Sequence, residues 1–210
     1  MLVSLHDLEA RIRKRCEQGD REGAATVALR GYGPEVFGFL VAMFRSQQDA
    51  GEVFSIWSEA VWRSLPAFAW ECSFRTWAFV LARRNAYRFR LDARKRARRD
   101  VHLTGSPVSQ IAEQVRSATA TFLQTAKKSR LEALRDALSD EDKTILILRV
   151  DRRMSFAELA RVTLGEDEAP TAEALQREAA RLRKRFQLVK ERLIEAGKRQ
   201  GLLGGDGEDP

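Results

Sequence analysis

Apolar residues recur at three- and four-residue steps along most of the chain, the spacing that gathers them on one face of an α-helix. Leu5, Leu8 and Ile12 open the series, and Gly31, Gly33 and Pro34 punctuate it before a second apolar stretch from Val36 to Phe44. A third helix is predicted from about Asp49 to Leu65. Val53, Ile56, Trp57, Ala60 and Val61 form its inward face, while Asp49, Glu52, Ser55 and Glu59 line another. Pro66 ends that helix and Ala67 to Ser73 make a short loop. Ser73 is then a good N-cap for a helix from Phe74 to about Arg90, with Trp77, Leu81 and Tyr87 among its larger apolar positions.

Arg94 to Arg99 is too charged to bury, and Asp100 to Ala120 offers polar residues, Gly105, Pro107 and little periodicity. We read residues 100–125 as a linker. A second helical module starts near Ala126, with Leu131, Leu134 and Leu138 as one stripe. Ser139 to Asp142 resembles a capping box opening a helix with apolar Ile145, Leu146 and Leu148, and Ser155 to Glu158 is a second Ser-x-x-Glu start. After a turn from Gly165 to Pro170, Thr171 can cap a long last helix whose seam is Leu175, Ala179, Leu182, Phe186, Val189 and Leu193. No β-type alternation and no internal repeat appear. The expectation is an all-α chain of two small domains, 1–99 and 126–200, with a disordered tail at 201–210.

Composition narrows the function. Hydrophobic residues at 44% and charged residues at 32% fit a soluble helical protein, and no apolar run approaches the roughly 18 residues of a spanning helix. The N-terminal segment is amphipathic without a signal-peptide core, which points to the cytoplasm. Cys16 and Cys72 read as free thiols, and with only His6 and His102 beside them no disulfide framework or metal cluster can be assembled. There is no Gly-rich phosphate loop, HExxH or nucleophile elbow, so neither catalysis nor a cofactor is expected.

The net charge of +7 is concentrated: Arg83 to Arg99 holds nine Lys or Arg against one Asp, and Gln176 to Arg192 seven against two Glu. Two basic tracts suggest two contacts on one polyanion, because each neutralised phosphate releases counterions. The last two helices read as a helix-turn-helix in which the first turn of the second helix, with Thr171, Gln176 and Arg177, approaches base edges. Arg181, Arg183 and Lys184, further along that helix beside Arg185, would hold phosphates. In the first module Phe68, Trp70, Phe74, Trp77 and Phe79 alternate with Arg75, Arg83, Arg84 and Arg88, a composition suited to unstacked single-stranded DNA. Phe74 and Trp77 share helical spacing with Leu81 and belong to a core; Trp70, in a short polar loop, is open to either role.

Asp49-Ala50-Gly51-Glu52, the Trp62 to Phe68 stretch and above all Ser73-Phe74-Arg75-Thr76-Trp77, followed by Ala82-Arg83, resemble region two of the extracytoplasmic-function (ECF) group of RNA polymerase sigma factors. Leu138 to Arg149, Met154 to Ala160 and Arg181-Leu182-Arg183 resemble region four of the same group. The resemblance implies promoter recognition for RNA polymerase core. Region two would bind the clamp helices of the largest subunit through Asp49, Glu52 and Glu59. It would meet the minus-ten element through Phe68, Trp70, Ser73, Arg75, Thr76, Arg83, Arg84, Asn85 and Arg88. Region four would touch the flap of the second-largest subunit and read the minus-thirty-five element.

Three positions depart from the family pattern. Arg84 stands where Asn is usual, with Asn85 one place later; the turn from Gly165 to Glu173 is long; and the acidic run is thinned, with Gly51 for an acid and Ser55-Ile56 where Gln-Glu is common. One subgroup lacking that run is activated by a Ser/Thr kinase, which makes Ser55, with Ser58 in reserve, a candidate phosphosite. An anti-sigma factor is the other regulator that the resemblance implies. Two further classes stay open from sequence: a freestanding helix-turn-helix regulator of duplex DNA, and an interaction module whose basic helices meet an acidic partner.

Overall fold

The computed structural model describes residues 5–44, 46–93, 107–124, 134–135, 137–165 and 170–200. The expectations for Arg94 to Arg99, for Ala126 and Leu131, for the middle of the 165–170 turn and for the tail lie outside them. Among the described residues there are eight α-helices and no strand, as the helical periodicity requires. The chain divides into two compact units, the first taking in Met1–Leu123 and the second chiefly Gln124–Leu164 and Ala169–Pro210.

The first unit is built from α1 (Leu5–Glu17), α2 (Arg21–Phe44), α3 (Gln47–Ser64), α4 (Phe74–Ala93) and α5 (Pro107–Gln124), with a 3-10 turn at Leu65–Ala67. Helix α2 packs on α1, α3 and α4, and α3 packs on α4. Its core is aromatic: Tyr32, Phe37, Phe39, Phe54, Trp57, Phe74 and Phe79 are fully buried, each contributing about 1.5–3 kcal/mol by leaving water. Edge-on pairs at 5.3 Å (Phe37, Phe54) and 5.6 Å (Phe39, Phe79) lock α2 to α3 and α4. The Trp57 indole satisfies its one donor on the Ala78 carbonyl at 2.9 Å, which ties α3 to α4.

Three expectations are corrected here. Gly31, Gly33 and Pro34 do not break the chain; α2 runs straight through them. The glycines are contact points: a Cβ on Gly31 would overlap the Leu8 side chain of α1, and one on Gly33 would lie 2.8 Å from Val115 Cγ1. Pro34 forgoes one helical hydrogen bond, a loss carried by the burial of Tyr32, Val36, Phe37 and Phe39 around it. Second, α2 is long and apolar enough to cross a membrane by length and composition. Arg30 and Glu35 interrupt the run in sequence, and more than half of the helix's apolar stretch is buried by the neighbouring helices. Third, the 100–125 stretch read as an aperiodic linker holds the eighteen-residue helix α5. Pro107 opens it, where a missing N–H costs nothing, and Ala112 and Val115 are buried against the unit.

The second unit holds α6 (Asp140–Leu146), continued by a π-helical turn at Ile147–Asp151, then α7 (Phe156–Leu164) and α8 (Ala172–Arg199). The cap residues act as the motifs require. Asp142 N–H donates to Ser139 Oγ at 3.2 Å and Ala174 N–H to Thr171 Oγ1 at 3.2 Å. Ser155 and Glu158 form a reciprocal capping box, Ser155 N–H donating to Glu158 Oε2 at 2.6 Å and Glu158 N–H to Ser155 Oγ at 3.2 Å. Ile145, Leu148, Met154, Leu159, Leu182 and Val189 make the core, so the seam of α8 faces inward.

Candidate nucleic-acid interface

Helix α4 begins at an aromatic loop. Ser73 caps it, accepting from Thr76 N–H at 3.0 Å, and the two hydroxyls lie 2.9 Å apart. Phe68 stacks on Trp77 with centroids 4.6 Å apart, and the Trp70 ring lies 4.8 Å from Phe68. Trp70 is half-buried, with Arg13 of α1 reaching over its ring at 5.6 Å. Its backbone sits at φ 59°, a left-handed conformation that a bulky residue adopts only when its surroundings hold it there. Phe74 and Trp77 are core, as their spacing indicates.

The residues expected to meet DNA here divide by environment. Thr76 is buried and its hydroxyl serves the cap. Arg75 pairs with Glu35 at 2.8 Å and its own N–H donates to Glu9 at 3.2 Å, so it anchors the start of α4. Glu9 also accepts from the Tyr32 hydroxyl, whose acidity burial and Glu9 suppress. Arg83 and Arg84 are half-buried and already engaged within the chain, whereas Arg88 is exposed. The Asn85 Nδ2 is buried without a hydrogen-bond partner, a costly arrangement for a donor. Tyr87, expected among the apolar positions, is 63% exposed, and with Arg84, Arg88 and Leu91 it makes one stripe along α4. Sequence periodicity hid this ring because Ala78 to Ala82 are all buried, leaving the helix apolar on most sides.

On α3, Glu52 is exposed and Asp49, Ser55 and Glu59 are half-buried. The Ser55 hydroxyl donates to the Gly51 carbonyl at 3.1 Å. Ser58 is 1% exposed with its hydroxyl bonded to the Phe54 carbonyl at 2.9 Å, which corrects its candidacy as a phosphosite: the folded unit does not present it.

In the second unit α7 and α8 pack together, and Thr163 Oγ1 donates to Glu178 at 2.9 Å across them. Gln176 and Arg177, in the early turns of α8, and Lys184 are exposed; Thr171 spends its hydroxyl on the cap. Arg181 was expected to hold phosphate from the polar side of α8; instead it donates to Glu178 at 2.7 Å and to Glu141 at 2.8 Å, and these bonds push its pKa up. Arg185 pairs with Glu141 at 2.8 Å and with the buried Asp142 at 2.6 Å. Arg183 and Arg149 both lie over the Phe156 ring, at 5.2 and 4.9 Å. Those three α8 arginines therefore brace the unit, and Arg177 and Lys184 stand clear.

Comparison with known families agrees with the first unit. Residues 28–98 match the family model of sigma-70 region 2. The chain carries a sigma-70 region 2 domain. The match runs from the middle of α2 through α3, the aromatic loop and α4, so it takes in the aromatic loop and every α3 and α4 side chain described above. Region 2 is a non-catalytic module with a role in transcription initiation through RNA polymerase, and among the described residues no group of His, Cys, Asp and Glu could hold a metal ion. No curated protein and no solved structure matches the chain.

Proposed function

We propose that this chain is an alternative sigma factor of the ECF group, acting in the cytoplasm and lending promoter recognition to the bacterial RNA polymerase core. The observation that carries the reading is the sigma-70 region 2 match laid over an aromatic loop that holds Trp70 in a strained, half-exposed pose. Strained residues of this kind gather at functional sites, and a ring held in place beside cations suits a base that has left its stack. Phe68, Trp70, Ser73, Arg83, Arg84, Asn85 and Arg88 take the minus-ten element. Arg75 and Thr76 hold that surface in shape.

Asp49, Glu52 and Glu59 on α3 meet the clamp helices of the largest subunit. The second unit is region four, with residues 100–125 as the connection; Gln176, Arg177 and Lys184 face the minus-thirty-five element and the unit meets the flap. Phosphorylation of Ser55 regulates the chain: it adds about 1.5–2 negative charges to an α3 face where Gly51 replaces an acid. A run-off transcription assay with purified core polymerase tests the reading. Promoter-specific transcripts that need both components support it, and operator binding without polymerase supports a freestanding regulator instead.

A further inference from the structure

Helix α5 meets the first unit at two glycines, through adjacent residues of one turn. Val115 sits on Gly33 of α2, where an added Cβ would lie 2.8 Å from Val115 Cγ1 and 3.3 Å from the Phe54 ring. Arg116, the next residue, sits on Gly51 of α3, where a Cβ would lie 3.3 Å from Arg116 Cδ. Its guanidinium donates to the Gly51 carbonyl at 3.4 Å, sharing that oxygen with the Ser55 hydroxyl, and is held from behind by Glu113. Val115 is 9% exposed and Ala112 4%, so the seat is closed to water. Two glycines on two helices thus make room for one turn of a third.

The seat adjoins the acidic side of α3. Ser55, which shares the Gly51 carbonyl with Arg116, stands one helical turn from Glu52 and from Glu59, so Arg116 brings a cation and the bulk of α5 to the edge of the face assigned to polymerase. We infer that α5 is a self-seated strap that competes with the polymerase clamp helices for the α2–α3 face, and that the chain binds polymerase at full strength only when α5 has left. This rests on the assignment of that face under the proposed function. The interaction favours a basic partner helix, which must replace both the Val115 contact and the Arg116 charge.

The size of the effect follows from occupancy: a strap seated nine-tenths of the time weakens the apparent affinity by about tenfold. The experiment measures affinity for core polymerase, with hydrogen exchange of residues 107–124 read in the same samples. It compares the full wild-type chain, the double variant Val115→Glu/Arg116→Glu, the milder Arg116→Ala, and Asp49→Lys/Glu52→Lys. The strap predicts protected α5 amides in the wild type. It predicts fast exchange and about tenfold tighter binding in the double variant, and a smaller change in the same direction for Arg116→Ala. Released α5 with unchanged or weaker binding overturns the strap, as does a wild-type α5 that exchanges without protection. Unchanged binding by Asp49→Lys/Glu52→Lys overturns the placement of polymerase on this face, a failure of the underlying reading and distinct from the other two.

Discussion

Trp70 separates a structural ring from a DNA-binding one. Removing it with Trp70→Ala forfeits the ring pair with Phe68 at 4.8 Å and the Arg13 contact at 5.6 Å. An aromatic pair is worth about 0.5–1.5 kcal/mol and an exposed cation–π contact about 0.5–1, so the unit should lose about 1–2.5 kcal/mol of stability. Trp70→Gly loses the same contacts but recovers about 1 kcal/mol, because glycine adopts the φ of 59° without strain. The two variants therefore differ in stability while sharing the missing ring. Base stacking adds about 1–3 kcal/mol once a base is unpaired, which corresponds to a loss of roughly 5- to 150-fold in strand opening for both variants. Chemical denaturation gives the first quantity and permanganate reactivity at the start site, with polymerase present, the second. Equal and severe loss of opening in both, despite the stability gap, is the predicted outcome. Opening that tracks stability, or is normal in Trp70→Ala, refutes a role for the ring on DNA.

Four further outcomes follow from the geometry. Arg177→Ala and Lys184→Ala should each lower the salt slope of promoter binding by about 0.9, whereas Arg181→Ala, which removes bonds to Glu178 and Glu141, should instead lower the melting temperature of the second unit. Pro34→Ala restores a helical N–H in α2 and should stabilise the first unit by about 1–3 kcal/mol in urea titration. Gly31→Leu should destabilise it by about 1–3 kcal/mol, since the added side chain occupies the place of Leu8. The Asp20 carboxyl accepts from Gly23 N–H and pairs with Arg15, and both hold it below its ordinary value. Its stabilisation is therefore present above the ordinary carboxylate range and lost as pH falls through the lowered value; an Asp20→Asn chain should show a flatter acid limb in stability against pH.

Local signals were legible and distant pairings were not. Ser139, Ser155 and Thr171 could be placed as caps because a cap depends on residues two or three positions away. The α8 seam was equally plain, since Leu182 and Val189 repeat on one face and are buried there. Pro34 misled because its cost is offset by tertiary burial that no local pattern displays. Helix α5 escapes a reading from sequence because Glu113 and Gln114 separate Ala112 from Val115 and Ser117 and Thr119 follow, diluting a short apolar stripe. The roles of Arg181 and Arg185 turn on Glu141 and Asp142, about forty residues earlier, so their basic tract could not be divided into bracing and exposed cations from sequence. The aromatic loop was visible as a composition of rings and arginines, but only the backbone reveals that Trp70 is held in a left-handed pose.

The most direct test of the central claim is to map RNA 5′ ends made by purified core polymerase on promoter-bearing DNA, with and without this chain and with Ser55→Glu alongside the wild type. The account predicts discrete start sites that appear only when core polymerase and the chain are both present. No start site with either protein, while the chain alone protects a duplex operator, would contradict it.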